Sequence, residues 1–468
     1  MHIDAQPAVV PFVRPGADAR ASGPAGLGPA GRAPRVAVVH DWLYTFGGAE
    51  KVLRGILRCF PQADLHCLFD VLGEEGRRRI GHERTTTSFL QNMPRIARNH
   101  RIYLPLMPLA IEQLDLSRYD LVISSSSAVA KGVITGPDQL HVSYVHSPMR
   151  YAWDLQHRYL REARLEKGVK SWAARLLLHR MRIWDARTAS GVDRYIANSN
   201  FVARRLRKLY GCDAAVIHPP VHVPERLPNS PKGDFFLSAS RLVPYKNMRV
   251  IAEAFARLPG ERLVVVGDGP ERARLEAAAG PNVEVLGHVG DAELRRLMAS
   301  ARAFVFAAEE DFGIAPVEAQ ALGTPVIALG RGGALETVVA RGDGATGLLF
   351  DEPEPAQIAA AVERFIAEEG RFSPEACFRN ASRFSEARFE HEFRRHVDAA
   401  YTAFLAGCLA THAGAPPPGT DPGRGWHGRD EDAPAAPVSA PGAAGAPIGA
   451  PSAARTQPGH AATQTVYP

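Results

Sequence analysis

Two series of short apolar runs alternate with helical patterns along this chain, and a proline-rich segment separates them. The first series is RVAVV, DLHCL, DLVISS, VSYVH and RYIAN, and the second is FFLSAS, RLVVV, VEVL, AFVFA and PVIAL. Strands that alternate with helices predict parallel sheets covered by helices. The segment HPPVHVPERLPNSP (218–231) has the composition of a linker. The sequence therefore predicts an α/β protein with two doubly wound domains that face a cleft.

Composition sets the limits of this folded region. Residues 1–33 and 408–468 are rich in Ala, Gly and Pro, and we expect both tails to be disordered because they can bury little apolar surface. The first domain is predicted at 34–218 and the second at 219–385. Segment 386–407 is predicted to be a helix that packs back on the N-terminal domain, since its apolar residues recur at helical spacing: Phe389, Phe393, Val397, Tyr401 and Phe404.

Charge and cysteine content argue against several classes of protein. A net charge of +5 is too small to indicate a nucleic-acid partner. The five cysteines form no CxxC pair, which argues against a zinc site and favours a reducing compartment. The sequence begins without a signal-peptide pattern and contains no apolar run of spanning length. We expect a protein of the cytoplasm, either free or peripheral on the inner face of the cytoplasmic membrane, with no metal site.

The stretch EEDFGIAPVEA (309–319) contains two carboxylates, Glu310 and Glu318, which could form an acid/base pair that hydrolyses a sugar bond. Pro316 is typical of the first residue of a helix, and Gly323 is typical of a helix end. This pattern puts Glu310 in a loop and Glu318 in the first turn of a helix that runs to about residue 322.

The backbone between those carboxylates suits an anion or a hydroxyl-rich ligand. Its N–H groups lead into a predicted helix N-terminus, which attracts negative charge, at Phe312, Gly313 and Ile314. We therefore favour a clamp, with Glu310 and Glu318 near the two ends of an elongated ligand, over an acid/base pair.

Three other segments follow predicted strands and add candidate residues. Arg241 and Lys246 suit a diphosphate, although a solvated pair of loop charges is the alternative. Gly47 and Gly48 precede a helix and could bring backbone N–H groups against phosphate, although a plain loop is equally typical. His146 ends a strand and is predicted to face the cleft.

The segment VVVGDGPERARL (264–275) resembles a dinucleotide fingerprint but departs from it. Gly267 and Gly269 are present, whereas Arg272 occupies the third glycine position. We interpret the segment as a tight turn after a strand.

Two segments of the first domain, 76–101 and 158–187, are strongly basic. They could bind anionic lipid head groups or a lipid-diphosphate acceptor. The alternative is that they are solvated faces of an arginine-rich protein, with Trp172 and Trp184 in its core.

Taken together, these residues make the chain resemble the glycosyltransferases of family 4, which have the GT-B fold of two Rossmann-like domains. The resemblance covers about 34–405. It is carried by the order and spacing of GGAE (47–50), SRL…K with Arg241 and Lys246, GDGP (267–270), Glu310-x7-Glu318 and GTPVIA (323–328).

The resemblance implies a retaining, metal-independent transferase that uses a nucleotide-activated sugar. Glu310 and the amides of 312–314 would hold the sugar, and Glu318 would bind the ribose. Arg241 and Lys246 would neutralise the diphosphate. The resemblance also implies that Gly47 and Gly48 approach the phosphates from the other domain. His146 would lie near the sugar and the leaving phosphate. His146 and Glu310 are the two catalytic candidates.

The segments HDWLYTFGGAEKVL, HSPMRYAWD and EDFGIAPVEA look most like enzymes that build bacterial exopolysaccharide, O-antigen or capsule. That resemblance implies transfer of a hexose, with mannose from GDP-mannose as the favoured case, to a lipid-diphosphate-linked sugar. The alternatives are a UDP-sugar donor, a nucleotide-sugar epimerase or hydrolase of the same fold, and a non-enzymatic nucleotide-sugar-binding protein.

Overall fold

A computed structural model describes residues 32–412 of the 468-residue chain. Within that stretch the strands form two sheets, and the first has seven strands in the order β3-β2-β1-β4-β5-β6-β7. Every neighbouring pair in it is parallel. Its strands are β1 Val36–His40, β2 Asp64–Cys67, β3 Thr85–Thr87, β4 Leu121–Ser126, β5 Leu140–Val145, β6 Arg194–Ala197 and β7 Ala214–Val216.

The second sheet, within the same described residues, has six parallel strands in the order β10-β9-β8-β11-β12-β13. Both strand orders reverse direction beside the first strand of the sheet, between β1 and β4 and between β8 and β11. Ligands of doubly wound sheets bind at such reversals, beyond the carboxyl ends of the strands. The strands are β8 Phe235–Ala239, β9 Arg262–Val266, β10 Val283–Gly287, β11 Phe304–Phe306, β12 Val326–Leu329 and β13 Gly347–Phe350.

Helices connect the parallel strands and cover both sheets. In the first half of the chain they are α1 Gly48–Cys59, α2 Gly73–Ile80, α3 Ile96–Asn99, α4 Met107–Glu112, α5 Gln156–Glu162, α6 Val169–Thr188 and α7 Asn200–Tyr210. In the second half they are α8 Met248–Phe255, α9 Arg272–Ala278, α10 Asp291–Ser300, α11 Ile314–Ala321, α12 Ala334–Thr337, α13 Pro355–Ala367, α14 Pro374–Ser382 and α15 Glu386–His412.

Apolar packing ties the last helix to the first domain. Phe389, Phe393 and Val397 of α15 are buried in the same cluster as Val38 of β1 and Leu53 of α1. The rings of Phe389 and Phe393 stack with centroids 5.4 Å apart. The chain therefore returns to its first sheet after it has completed the second, and this buries the apolar face that the helical spacing predicts.

The strands that the sequence pattern missed lie at sheet edges. They are β3, β7 and β13, each with a partner on one side alone. They span only three or four residues. Such short segments carry little periodic signal, and their conformation is set by pairing with the neighbouring strand.

The structure also corrects one predicted boundary. Helix α15 continues to His412, so residues 408–412 of the predicted disordered tail are helical. Ala and Leu, which favour helix, extend past residue 405 in the sequence AGCLA. The remainder of both predicted tails, 1–31 and 413–468, lies outside the described residues.

Candidate active site

The predicted site residues lie on loops beyond the carboxyl ends of the strands in both domains. Arg241 follows β8, and Glu310 follows β11. Lys246 ends a short 3-10 turn, Pro244–Lys246. His146 follows β5 directly, and Gly47 and Gly48 lie where the β1 loop enters α1. The strand-end positions expected from the sequence are thus the positions that these residues occupy.

Glu310 is surrounded by cations. Its Oε1 lies 2.6 Å from Nζ of Lys246. Burial alone would raise the pKa of Glu310, but Lys246, Arg150 and Arg241 outweigh it and hold this pKa below its ordinary value. Glu310 is therefore a carboxylate at neutral pH, which suits a hydrogen-bond acceptor and does not suit a general acid.

Helix α11 begins two residues earlier than the sequence pattern predicts. Gly313 adopts a left-handed conformation, with φ of 84°, and the helix starts at Ile314. Pro316 is accommodated as the third helical residue because N–H groups of the first turn have no intrahelical partner. Glu318 consequently lies in the second turn rather than the first, and Gly323 follows the helix with φ of 77°.

The starts of α1 and α11 face each other across the cleft. A Cβ atom added at Gly48 would lie 3.1 Å from Cδ1 of Ile314. Lys51, on the next turn of α1, forms an ion pair with Glu318 of α11. Sequence reasoning did not select Lys51, although it follows GGAE directly and lysine is rare in this chain.

The glycines of GDGP shape the loop that carries Arg241. A Cβ atom at Gly267 would lie 1.8 Å from the carbonyl oxygen of Ser240, so only glycine allows this approach. The Leu242 N–H donates to the Asp268 carbonyl at 2.9 Å. Arg241 itself donates to the Tyr245 hydroxyl at 3.3 Å. The turn interpretation of this segment agrees with these contacts.

In the first domain, His146 is the end of a chain of polar side chains. Its Nε2 lies 2.8 Å from the Ser125 hydroxyl, and that hydroxyl lies 3.0 Å from Nδ1 of His40. Nε2 of His40 lies 3.7 Å from Oε1 of Glu50. Burial and the neighbouring His40 lower the pKa of His146 to about 3, so this imidazole is neutral. The available sequence signals were the His that ends β1 and the serine run that ends β4.

Asp41 holds the loop that follows β4, next to the hydrogen-bonded side chains of His40, Ser125 and His146. Its buried carboxylate accepts four backbone N–H groups, from Ser127 to Ala130, at 2.5 to 3.0 Å. Burial raises the pKa of Asp41, and these N–H groups and His40 partly offset that rise. These hydrogen bonds connect the loop after β1 to the loop after β4. They therefore hold His40 and Ser125 close to each other.

Two acidic residues of the second domain bind the first domain. Asp311 accepts from Arg205 at 2.9 Å and also pairs with Arg150. Its backbone carbonyl accepts the Ser199 hydroxyl at 2.6 Å. These contacts place the 310–314 loop directly against the first domain.

Glu336 makes the second such contact at the N-terminus of α7. It accepts the backbone N–H groups of Asn200 and Phe201 at 2.9 and 3.0 Å, and it lies 3.1 Å from Nε2 of His218. Burial opposes its ionisation, but these donors lower the pKa of Glu336 to about 2. A carboxylate of one domain therefore caps a helix of the other.

Membrane-spanning helices and clustered metal ligands are both absent from the described residues. Across residues 32–412, the helices include none with the length and apolarity needed to cross a membrane. Over the same stretch, three or more His, Cys, Asp or Glu side chains nowhere come together as a metal site would require.

Two family models match adjacent parts of the chain. The model "Glycosyltransferase Family 4" matches residues 46–224, and the model "Glycosyl transferases group 1" matches residues 223–384. The two matches meet in the segment that the sequence pattern identified as a linker.

Curated relatives match over a shorter region. D-inositol 3-phosphate glycosyltransferase of Mycobacterium tuberculosis (strain ATCC 25618 / H37Rv) is 31% identical over 222 residues, which cover 41% of this chain and 46% of the relative. The corresponding protein of Mycobacterium bovis (strain ATCC BAA-935 / AF2122/97) matches to the same extent. The chain thus spans about half the length of these relatives.

Solved structures show the same fold. Anabaena Alr3699/HepE in complex with UDP-glucose superposes with a TM-score of 0.55 at 19% identity, covering 78% of this chain and 99% of that one. Sucrose-phosphate synthase from Thermosynechococcus elongatus superposes with a TM-score of 0.58 at 16% identity. The match covers 79% of this chain and 100% of the synthase chain. The predicted GT-B arrangement of two Rossmann-like domains is confirmed.

Proposed function

We propose that this chain, which belongs to the family 4 glycosyltransferases and has their GT-B fold, transfers a hexose from a nucleotide-activated sugar with retention of configuration. One observation carries the proposal: the ionised Glu310 lies among Lys246, Arg241 and Arg150 beyond the ends of β8 and β11. A carboxylate among cations is suited to a ligand that combines sugar hydroxyls with a diphosphate.

In this proposal the donor lies along the second domain. Glu310 accepts hydrogen bonds from the sugar hydroxyls, and the backbone N–H groups that lead into α11 donate hydrogen bonds to them. Arg241 and Lys246 bind the diphosphate, and Glu318 binds the ribose hydroxyls. Gly47 and Gly48 approach the phosphates from the first domain. The amides concerned belong to Phe312, Gly313 and Ile314.

Catalysis in this proposal is mainly electrostatic. The bond between the anomeric carbon and the diphosphate oxygen breaks while an acceptor hydroxyl forms its bond on the same face of the sugar. The acceptor proton passes to the departing phosphate oxygen. Arg241 and Lys246 stabilise the negative charge that develops on the diphosphate. We expect these two cations to supply the charge that a metal ion supplies in other enzymes, so that the reaction needs no metal.

We propose GDP-mannose as the donor, with a UDP-sugar as the alternative. The GDP-mannose choice comes from the motif resemblance. The UDP alternative is favoured by the Anabaena protein, whose structures are described as complexes with UDP and UDP-glucose. A thermal-shift panel of GDP, UDP and their sugars, measured with a chelator present, tests both. Stabilisation by one nucleotide series is expected, and indifference to every nucleoside diphosphate would contradict the proposal.

A surface of α6 supports an acceptor held at a membrane. Val169, Trp172 and Ile183 lie on one side of this helix and are 84%, 68% and 57% exposed. The exposed cations around them are Lys167, Lys170, Arg180 and Arg187. Apolar side chains set among cations are typical of a surface that binds anionic lipid. We propose that this surface brings the protein to the cytoplasmic face of the membrane, where a lipid-diphosphate-linked sugar is the acceptor.

The two tryptophans of α6 differ, and this difference provides a test. Trp184 points inward, where its indole N–H donates to Glu112 at 2.6 Å, whereas Trp172 is exposed. We expect Trp172→Ser to reduce co-sedimentation with phosphatidylglycerol vesicles severalfold. Leu335→Ser, an exposed apolar residue of the second domain, is the matched control. Equal sedimentation of both variants and the wild type would contradict a membrane role for this surface.

An epimerase or hydrolase of the same fold would use the same donor contacts. Product analysis with and without a lipid-linked acceptor separates the two possibilities. A transferase yields a new glycoside only when the acceptor is present, whereas an epimerase or hydrolase converts the donor alone.

A further inference from the structure

Asp311 directly follows Glu310 in the second domain, yet its side chain is bound by the first domain. One carboxylate oxygen accepts from Nη1 of Arg205 at 2.9 Å, and the other pairs with Nη2 of Arg150. The side chains of Asp311 and Arg205 are only 7% and 10% exposed. The charge of this second-domain carboxylate is therefore balanced from across the cleft.

Ser147 holds the two arginines in a fixed arrangement. Its hydroxyl oxygen accepts from Nη1 of Arg205 at 3.0 Å and from Nε of Arg150 at 3.2 Å. Nη2 of Arg205 also donates to Asp154 at 2.6 Å. A guanidinium with several fixed partners loses little freedom when it binds one more carboxylate, so the first domain presents a preorganised site for Asp311.

The backbone around Asp311 is held by both domains in turn. The Glu310 carbonyl accepts the Gly333 N–H at 2.8 Å, within the second domain. The next carbonyl, that of Asp311, lies 2.6 Å from the Ser199 hydroxyl of the first domain. Gly313, whose φ is 84°, then leads into α11. The N–H groups that lead into α11 therefore come directly after a residue that the first domain holds.

Arg150 also lies close to Glu310. Burial would lower the pKa of Arg150, but Asp311 and Glu310 outweigh burial and raise this pKa. If Asp311 lost its charge, Arg150 would keep Glu310 as a nearby carboxylate to pair with, because a buried cation without a partner is costly. Such a pair would occupy the carboxylate that a sugar hydroxyl needs.

We propose that Asp311, Arg150 and Arg205 are positioning residues, here called the Asp311 bridge, which make the sugar-binding part of the donor site depend on the first domain. The bridge keeps Arg150 away from the carboxylate of Glu310. It also fixes the backbone that carries the N–H groups of 312–314. The identity of the ligand rests on the proposed function.

The bridge affects two kinds of ligand differently. A nucleoside diphosphate would bind to Arg241, Lys246 and Glu318, which lie outside the bridge. A sugar nucleotide adds hexose hydroxyls, which would bind to Glu310 and to the N–H groups beside Asp311. Loss of the bridge should therefore weaken binding of the sugar nucleotide and leave binding of the nucleoside diphosphate unchanged.

Isothermal titration with GDP and GDP-mannose, and with UDP and UDP-glucose, tests this difference. Asp311→Asn keeps the size of the side chain and removes its charge. The ratio of the sugar-nucleotide Kd to the nucleoside diphosphate Kd should rise about tenfold, because an ion pair is lost and the N–H groups lose their fixed orientation. Arg205→Gln, which breaks the bridge from the other domain, should produce the same rise.

Arg207→Gln is the matched control. Arg207 lies on the same helix as Arg205 and pairs at 3.4 Å with Asp213, within the first domain. Its Kd ratio should equal that of the wild type. The double variant Asp311→Asn/Arg205→Gln should not exceed either single variant, because both changes break one bridge. Equal losses for the two ligands, or a product of the two single effects in the double variant, would overturn the proposal.

Hydrogen exchange of the full chain without ligand tests the bridge independently of the proposed function. Arg205→Gln is a first-domain change, yet it should raise exchange about tenfold in second-domain peptides that cover 310–318. Arg207→Gln should leave these peptides as in the wild type, and unchanged peptides from β8 and β9 would show that the second domain remains folded. Wild-type exchange in Arg205→Gln would overturn the bridge. A wild type that binds no nucleoside diphosphate would instead overturn the proposed function.

Discussion

The cleft has two walls, one from each domain, and different kinds of interaction hold their side chains in place. The first-domain wall contains a chain of hydrogen-bonded side chains formed by His40, Ser125 and His146. The second-domain wall consists of opposite charges, with Lys246 paired to Glu310. Both walls lie at equivalent places, beyond the strands where each sheet order reverses.

This difference separates two tasks that a transferase must perform. Fixed hydrogen-bond donors and acceptors orient a substrate, and each is worth a modest free energy. Buried charges stabilise charge that develops during the reaction, and removal of one partner leaves the other uncompensated. We therefore expect substitutions on the second-domain wall to have larger effects than substitutions on the first.

The largest effect is expected for Lys246→Ala. This change removes a diphosphate contact and leaves Glu310 without its ion-pair partner, at a cost of roughly 3–4 kcal/mol in transition-state stabilisation. That corresponds to a loss of kcat/KM of roughly a hundred- to a thousandfold.

Steady-state kinetics with the preferred donor check this expectation. Arg249→Ala, which removes an exposed cation from the neighbouring α8, is the control and should retain activity. Wild-type donor affinity and turnover in Lys246→Ala would refute the assigned role of this lysine.

A smaller effect is expected where the two domains are joined, at Glu336. Its pKa of about 2 lies below the ordinary 4.5, so the carboxylate stabilises the fold above about pH 4.5. This stability is lost as the pH falls from 4.5 towards 2. We expect Glu336→Gln to reduce the free energy of unfolding by about 2–3 kcal/mol at pH 7.

Urea unfolding at several pH values measures this contribution. The difference between wild type and Glu336→Gln should shrink steadily below pH 4.5. Glu363→Gln, at an exposed position of α13, should match the wild type throughout. A difference that stays constant down to pH 2 would exclude the ionised cap as its cause.

The smallest of these effects is expected for Glu318→Ala. Glu318 and Lys51 are both partly exposed, so the loss of their ion pair has little structural effect. Loss of the ribose contact should weaken nucleotide binding about tenfold, or roughly 1.4 kcal/mol.

Lys51→Ala distinguishes the ribose contact from the ion pair, because it breaks the same pair and keeps the carboxylate. Isothermal titration with the nucleoside diphosphate should show a weaker loss for Lys51→Ala than for Glu318→Ala. Equal losses in the two variants would mean that the ion pair, and not a ribose contact, supports binding.

Much of the fold could be predicted from local patterns. Alternation of apolar runs with helical spacing identifies both sheets, and the aromatic spacing of α15 identifies its buried face. The edge strands β3, β7 and β13 could not be predicted, because their conformation depends on a neighbour and not on their own residues. The start of α11 was misplaced because Gly313, and not Pro316, makes the transition into the helix.

The sequence by itself determined which residues follow the ends of strands. The positions of Arg241, Lys246, Glu310 and His146 after predicted strands are enough to locate them. Only the tertiary structure decided how they are paired. Lys51 meets Glu318 across 267 positions of chain, and His40 meets Ser125 across 85. Trp172 and Trp184 share one helix and yet face opposite environments. Periodicity reports what a residue's own strand or helix requires, whereas ion pairs and hydrogen-bond direction depend on distances that form when the sheets and domains pack together.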